Sequence, residues 1–122
     1  MRRRRPGGAE GDLLAGTLDL LILRTLQAGP DHGLGIAQSI EHRSDDVLLV
    51  EQGSLYPALH RLEERGWITS FWGVSDNHRR ARFYRLTPKG QKERIAEAGR
   101  WDELARAVTR VLRPARVARP AE

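Results

Sequence analysis

The sequence predicts a mainly α-helical domain with one small β-hairpin, an α+β class, extended by a long C-terminal helix. Three observations carry this. Apolar residues recur at helical spacing in three successive segments before residue 66. Two stretches rich in β formers follow, Trp67–Trp72 and Arg82–Thr87, with a polar, basic connection between them. A last apolar series then repeats every three or four residues from Ile95 to Val111.

Residues 1–12 contain no periodic apolar residue and read as a disordered basic arm carrying Arg2 to Arg5. Leu14, Leu18, Leu21, Ile22 and Leu26 place a first helix over Leu13–Gln27, stopped by Ala28-Gly29-Pro30. Asp31-His32-Gly33 reads as a turn, with Asp31 able to cap the next helix. Leu34, Ile36, Ala37 and Ile40 give that second, short helix over Gly33–His42, which Gly33 and Gly35 weaken. Arg43–Asp46 is a loop, and Val47–Val50 is a short apolar run of extended character.

The third helix opens at Gln52-Gly53-Ser54. With Ser54 as N-cap, Pro57 falls in the first turn, where a missing amide is tolerated. Leu55, Leu59 and Leu62 form its buried face, and Gly66 takes the usual C-terminal glycine position. The two β-rich stretches make a hairpin with a tip of about nine residues. Phe83 and Arg85 face one way and Tyr84 and Leu86 the other. Thr87-Pro88 supplies an N-cap and a first-position proline for a last helix over Pro88–Leu112, roughly 38 Å long at 1.5 Å per residue.

Three helices, a hairpin and a long helix, in that order, form a winged helix-turn-helix with a dimerisation helix. The organisation expected is a basic arm (1–12), a winged helix-turn-helix DNA-binding domain (13–87), a C-terminal dimerisation helix (88–113) and a flexible tail (114–122). In helix-turn-helix proteins the recognition helix enters the major groove. Here that is the third helix, which leaves Ser54, Tyr56, His60, Arg61 and Glu64 off its apolar face. The hairpin tip, or wing, carries Asn77, His78, Arg79 and Arg80. The last helix is too long for a domain of this size to cover. Its series Ile95, Ala98, Trp101, Leu104, Val108 and Val111 therefore reads as the interface of a symmetric homodimer, with part of it packed on the first helix.

Composition agrees with a double-stranded DNA partner. The chain has 122 residues and a net charge of +5, and 19 of its 21 cations are arginine, which suits bidentate phosphate and guanine contacts. After His78-Arg79-Arg80-Ala81-Arg82 there is no acid until Glu93. With no cysteine there is no disulfide framework and no thiolate site. The longest apolar runs are four residues, so no membrane span is expected, and Pro6-Gly7-Gly8 after the arginines does not read as a signal peptide. A cytoplasmic location is the default expectation. No catalytic constellation, metal set or cofactor motif is present; His32, His42, His60 and His78 lie on different elements, and Asp45-Asp46 and Glu63-Glu64 read as solvated pairs.

The segment from Gly53-Ser54-Leu55-Tyr56-Pro57-Ala58-Leu59-His60-Arg61-Leu62-Glu63, the Gly66-Trp67-Ile68 exit, and Arg79-Arg80-Ala81-Arg82-Phe83-Tyr84-Arg85-Leu86-Thr87-Pro88-Lys89-Gly90 resemble PadR-type transcriptional regulators, as do His32-Gly33 and Gly35. The resemblance covers roughly residues 13–112, and Leu34 departs from it where the family commonly has an aromatic residue. It implies a dimeric winged-helix DNA binder, usually a repressor, released by a small molecule or stress signal. Carried over, Tyr56 reaches a phosphate or base, Ser54 and Gln52 lie at the recognition-helix N-terminus, Gln38 and Ser39 contact phosphate, and Arg79, Arg80 and Arg82 belong to the wing. For Trp101 the resemblance implies a planar small-molecule effector stacked between C-terminal helices; a dimer-core tryptophan with no ligand is the other reading. The rival to a DNA-binding regulator is a winged-helix protein-interaction module without specific DNA binding. Salt separates the two, because phosphate contacts weaken steeply with ionic strength.

Overall fold

The computed structural model describes residues 9–115 and residue 121, with side chains described from Gly16 onward. The elements are α1 (Ala9–Gln27), β1 (Asp31–His32), α2 (Gly33–Arg43), α3 (Gln52–Glu64), β2 (Ile68–Val74), β3 (Arg80–Leu86) and α4 (Pro88–Leu112). The α+β class and the winged-helix order stand as expected. Residues 1–8, with Arg2 to Arg5, lie outside the described residues, as do residues 116–120 and 122 of the expected tail.

Three helices and the sheet share one core. Leu18, Ile22, Leu23 and Leu26 of α1 meet Ile36, Ala37 and Ile40 of α2 and Leu55, Ala58, Leu59 and Leu62 of α3. Ile68 and Tyr84 close it from the sheet. Each fully buried leucine or isoleucine contributes about 1.5–3 kcal/mol. The α3 face is the one the spacing named, and Gly66, at φ +75°, ends the helix in the left-handed conformation that glycine accepts without strain. Leu34 does not join the core. It is exposed, because the buried side of α2 turns on Ile36, Ala37 and Ile40.

Several local expectations are corrected. Helix α1 starts at Ala9, four residues inside the segment read as an arm. Asp31-His32 is not only a turn. It forms a short strand on β3, pairing Asp31 with Tyr84 and His32 with Phe83, so the sheet has three antiparallel strands in the order β1-β3-β2. The cap of α2 is His32, whose Nδ1 accepts from the Gly35 amide at 3.1 Å, while Asp31 Oδ1 accepts from the His32 amide at 2.8 Å. A Cβ at Gly35 would fall 2.3 Å from Asp31 Oδ1, so a larger residue there would displace the Asp31 carboxylate from the His32 amide. Helix α3 begins at Gln52 with Glu51 as N-cap, so Ser54 lies within its first turn and Pro57 lies inside the helix. The carbonyl that Pro57 leaves without an amide partner belongs to Gly53, which is exposed.

The wing tip is also tighter than expected. Strands β2 and β3 pair from Ile68–Leu86 out to Val74–Arg80, leaving residues 75–79 as the turn. The Ser75 amide donates to the Arg79 carbonyl at 2.8 Å, and His78 takes φ 59°. Residues 47–50 are irregular; Leu48 and Val50 lean on the core, and the Val50 amide donates to Glu41 Oε2 at 2.8 Å, tying the α2–α3 connection down.

Helix α4 is launched by the cap the sequence named. The Gly90 amide donates to Thr87 Oγ1 at 2.9 Å, and that hydroxyl donates to the Gly66 carbonyl at 2.7 Å. The helix packs along α1 and then continues with its apolar side chains exposed.

Candidate nucleic-acid interface

The exposed side of α3 and the wing are the two surfaces to which the sequence assigns DNA. On α3, Gln52, Gly53, Ser54, Tyr56 and His60 are all exposed. Tyr56 is 46% exposed yet not free-standing. Its ring lies against the N-terminus of α2, where a Cβ on Gly33 would come within 2.8 Å of Tyr56 Oη. Gly33 thus leaves room for the hydroxyl end of the tyrosine ring to lie against the start of α2. His60 Nε2 stands 3.5 Å from Glu64 Oε2, one turn on. On α2, Gln38 is exposed and Ser39 half-buried.

Arg61 and Arg82 are placed differently from the other candidates. Arg61 turns back onto α1, where Nη2 donates to Asp19 Oδ1 at 2.9 Å. Arg82 reaches α3, where Nη2 donates to both Glu63 carboxylate oxygens at 3.2 Å, and Ser70 Oγ donates to Glu63 Oε2 at 2.7 Å. Glu63 is therefore no solvated neighbour of Glu64. It is the clamp between α3 and the wing, and the sequence reading missed it.

Strand alternation sorts the wing into two faces. Ile68, Ser70, Trp72 and Val74 of β2 share the inner face with Arg80, Arg82, Tyr84 and Leu86 of β3, as the buried Ile68 and Tyr84 fix. Beyond the core this face carries Trp72 and Val74, both exposed, and the Arg80 guanidinium lies over the Trp72 ring, 4.6 Å from its centroid. The outer face carries Phe71 stacked on Phe83 with centroids 5.7 Å apart, His32 edge-on to Phe83, and the Arg85 guanidinium over Phe71. Burial raises the Tyr84 hydroxyl above its ordinary value of 10.0, with the Arg82 guanidinium working against the shift.

A family model for the PadR-like transcriptional regulators matches residues 22–96, from the last third of α1 into α4. The chain belongs to the PadR-like family. With that family it is a DNA-binding transcriptional regulator. It is 38% identical over 77 residues to the transcriptional regulator Rv3488 of Mycobacterium tuberculosis, covering 63% of this chain and 68% of that one. It is 31% identical over 94 residues to an uncharacterized protein of Lysinibacillus sphaericus, covering 76% and 85%. A solved transcriptional regulator from Clostridium thermocellum superposes with a TM-score of 0.76 at 28% identity, over 84% of this chain and 99% of the other. Within this PadR-like chain, no helix among the described residues is long and apolar enough to cross a membrane.

Helix α4 presents Trp101, Leu104, Val108, Val111 and Leu112 as exposed apolar side chains. At 100° per residue these cluster on one side, whereas Ile95 is rotated roughly 140° from Val108. Ile95, named in the same stripe from spacing, therefore stands on a different surface. Ala98, half-buried, lies between the two. Arg100, at the edge of the stripe, donates to Glu93 Oε2 at 3.0 Å and to Glu97 Oε1; the bond from Arg100 holds the Glu97 carboxyl below its ordinary value.

Proposed function

We propose that this chain is a sequence-specific, dimeric PadR-like repressor of the cytoplasm that uses α3 in the major groove and the wing on the flanking backbone. The observation that supports the reading is that Ser54, Tyr56 and His60 on α3 and Arg79 and Arg80 on the wing are all exposed, on two elements that Glu63 ties together through Ser70 and Arg82. The DNA-contacting set is then Gln38, Ser39, Gln52, Ser54, Tyr56, His60, Arg79 and Arg80. Arg61 and Arg82, each engaged with an acid of the fold, hold α1 and the wing to α3 instead. Two copies joined through Trp101, Leu104, Val108 and Val111 would set their α3 helices one DNA turn apart. A planar small molecule stacked on Trp101 would change that spacing and release the DNA.

The test is binding of the purified protein to the duplex directly upstream of its own coding sequence, at two salt concentrations, with competitor DNA. Competitor-resistant binding that weakens steeply with salt is the expected result. Binding that competitor abolishes would overturn the specific regulator and favour the protein-interaction module, for which the exposed α4 stripe is the supporting feature. Fluorescence titration with planar compounds tests the effector; an unquenched Trp101 across the panel would leave it a dimer-core residue.

A further inference from the structure

We propose that Trp72 is a positioning residue that holds Arg80 for DNA, and that Arg80 and Arg82 have different tasks on the same face of the wing. The inference rests on the DNA-binding reading above and deepens it.

Arg82 faces Glu63, so its charge is neutralised within the protein and its work is to join wing to helix. Arg79 lies in the wing turn and lends its carbonyl to the Ser75 amide and hydroxyl. Arg80 alone of the three is partnered by an aromatic ring, at 4.6 Å. The difference is chemical. A carboxylate orients a guanidinium and cancels its charge. An indole face orients it and leaves the charge intact. Stacking also occupies only the flat face of the group, so the in-plane N–H donors stay available for phosphate oxygens. Trp72 is 60% exposed, and Val74, opposite Arg80, is 68% exposed on the same inner face. That face is the one that continues outward from the Glu63 clamp, which puts Arg80 on the α3 side of the wing. Prealigning Arg80 removes part of the ordering cost of binding, and Trp72 supplies that alignment.

The test measures affinity for the same upstream duplex over a salt series, using W72F, W72L, R80A and the W72L/R80A double variant, with thermal midpoints as a folding control. R80A should lower the salt slope by about 0.9 for each wing on the DNA. W72L keeps apolar bulk but has no π face, and should weaken binding roughly two- to fivefold per wing, the worth of an exposed cation–π contact. W72F should stay near wild type. The double variant should bind no more weakly than R80A, because Trp72 acts only through Arg80. Wild-type affinity in W72L, or losses that simply add in the double variant, would overturn the inference and leave the DNA-binding reading standing. A wild-type protein that binds no duplex would overturn both.

Discussion

Gly90→Ala is the substitution whose outcome the geometry fixes most tightly. A Cβ at Gly90 would lie 2.0 Å from the Trp67 carbonyl oxygen, 2.8 Å from the Trp67 carbonyl carbon and 2.9 Å from Leu86 Cδ1. The first two are backbone, so relief requires the first turn of α4 to withdraw. Withdrawal strains the packing, at about 1–3 kcal/mol or more. It also loosens the Thr87 cap, worth about 1 kcal/mol, and the bond from the Thr87 amide to the Trp67 carbonyl, worth about 1 kcal/mol. The helical preference for alanine offsets about 1 kcal/mol. The net is a destabilisation of about 2–4 kcal/mol, a large share of the 5–15 kcal/mol typical of a native domain. Gly99, on the same helix, has nothing within 4 Å and faces away from the apolar stripe, so Gly99→Ala isolates the propensity term and should stabilise by about 0.5–1 kcal/mol. Urea denaturation followed by circular dichroism, at one fixed protein concentration, reads both. Gly90→Ala with a midpoint at or above wild type would show that the launch of α4 is not set by this contact.

Four further outcomes are expected. Tyr56→Phe keeps the ring on Gly33 but removes the hydroxyl, so thermal stability should hold while affinity for the upstream duplex falls by about 1.5–3 kcal/mol per copy if a phosphate is its partner; undiminished binding would make Tyr56 a prop between helices. Asp46 sits at φ 62° in the α2–α3 connection, and Asp46→Gly should relieve about half a kcal/mol of left-handed strain, checked by urea midpoint. Burial raises the Tyr84 hydroxyl in the folded state; its stabilising share is complete below the unfolded value of about 10 and is lost as pH rises above it. Tyr84→Phe should therefore show a shallower alkaline loss of stability than wild type, and parallel curves would contradict the shift. Val108→Asp puts a carboxylate in the α4 stripe and should yield a folded monomer by sedimentation equilibrium; a persistent dimer would move the interface elsewhere.

The features legible in the sequence were those that repeat locally. Leu55, Leu59 and Leu62 announce the buried face of α3, and Thr87-Pro88 announces the start of α4, because helix faces and caps depend on residues within one or two turns. The features that escaped were long-range. Strand β1 has two residues and no period of its own; it exists because β3 offers an open edge. The partner of Arg61 lies 42 residues back at Asp19, and the partner of Arg82 lies 19 residues back at Glu63. Nothing in a run of charges distinguishes an arginine that folds the protein from one that faces a ligand. From sequence Trp72 reads only as a strand residue, since its meaning depends on sharing a face with Arg80 across the hairpin.

The Glu63 clamp also bears on how such a regulator could be switched. Glu63 accepts from Ser70 of β2 and Arg82 of β3 while belonging to α3, so α3 and the wing are bound by charge-assisted bonds as well as by the shared core. A signal that moved the wing against α3 would have to break these bonds and disturb Leu59, Leu62, Ile68 and Tyr84, which pack together behind them. Among the described residues, helix α4 makes no such bonds to the wing beyond its first turns, and its apolar side chains there are partly exposed. In the proposed dimer, the economical place for regulation is therefore the angle between the two copies, set where their α4 helices would meet. An effector at Trp101 would act there by changing the distance between two α3 helices, and each unit would keep its internal geometry in the bound and released states.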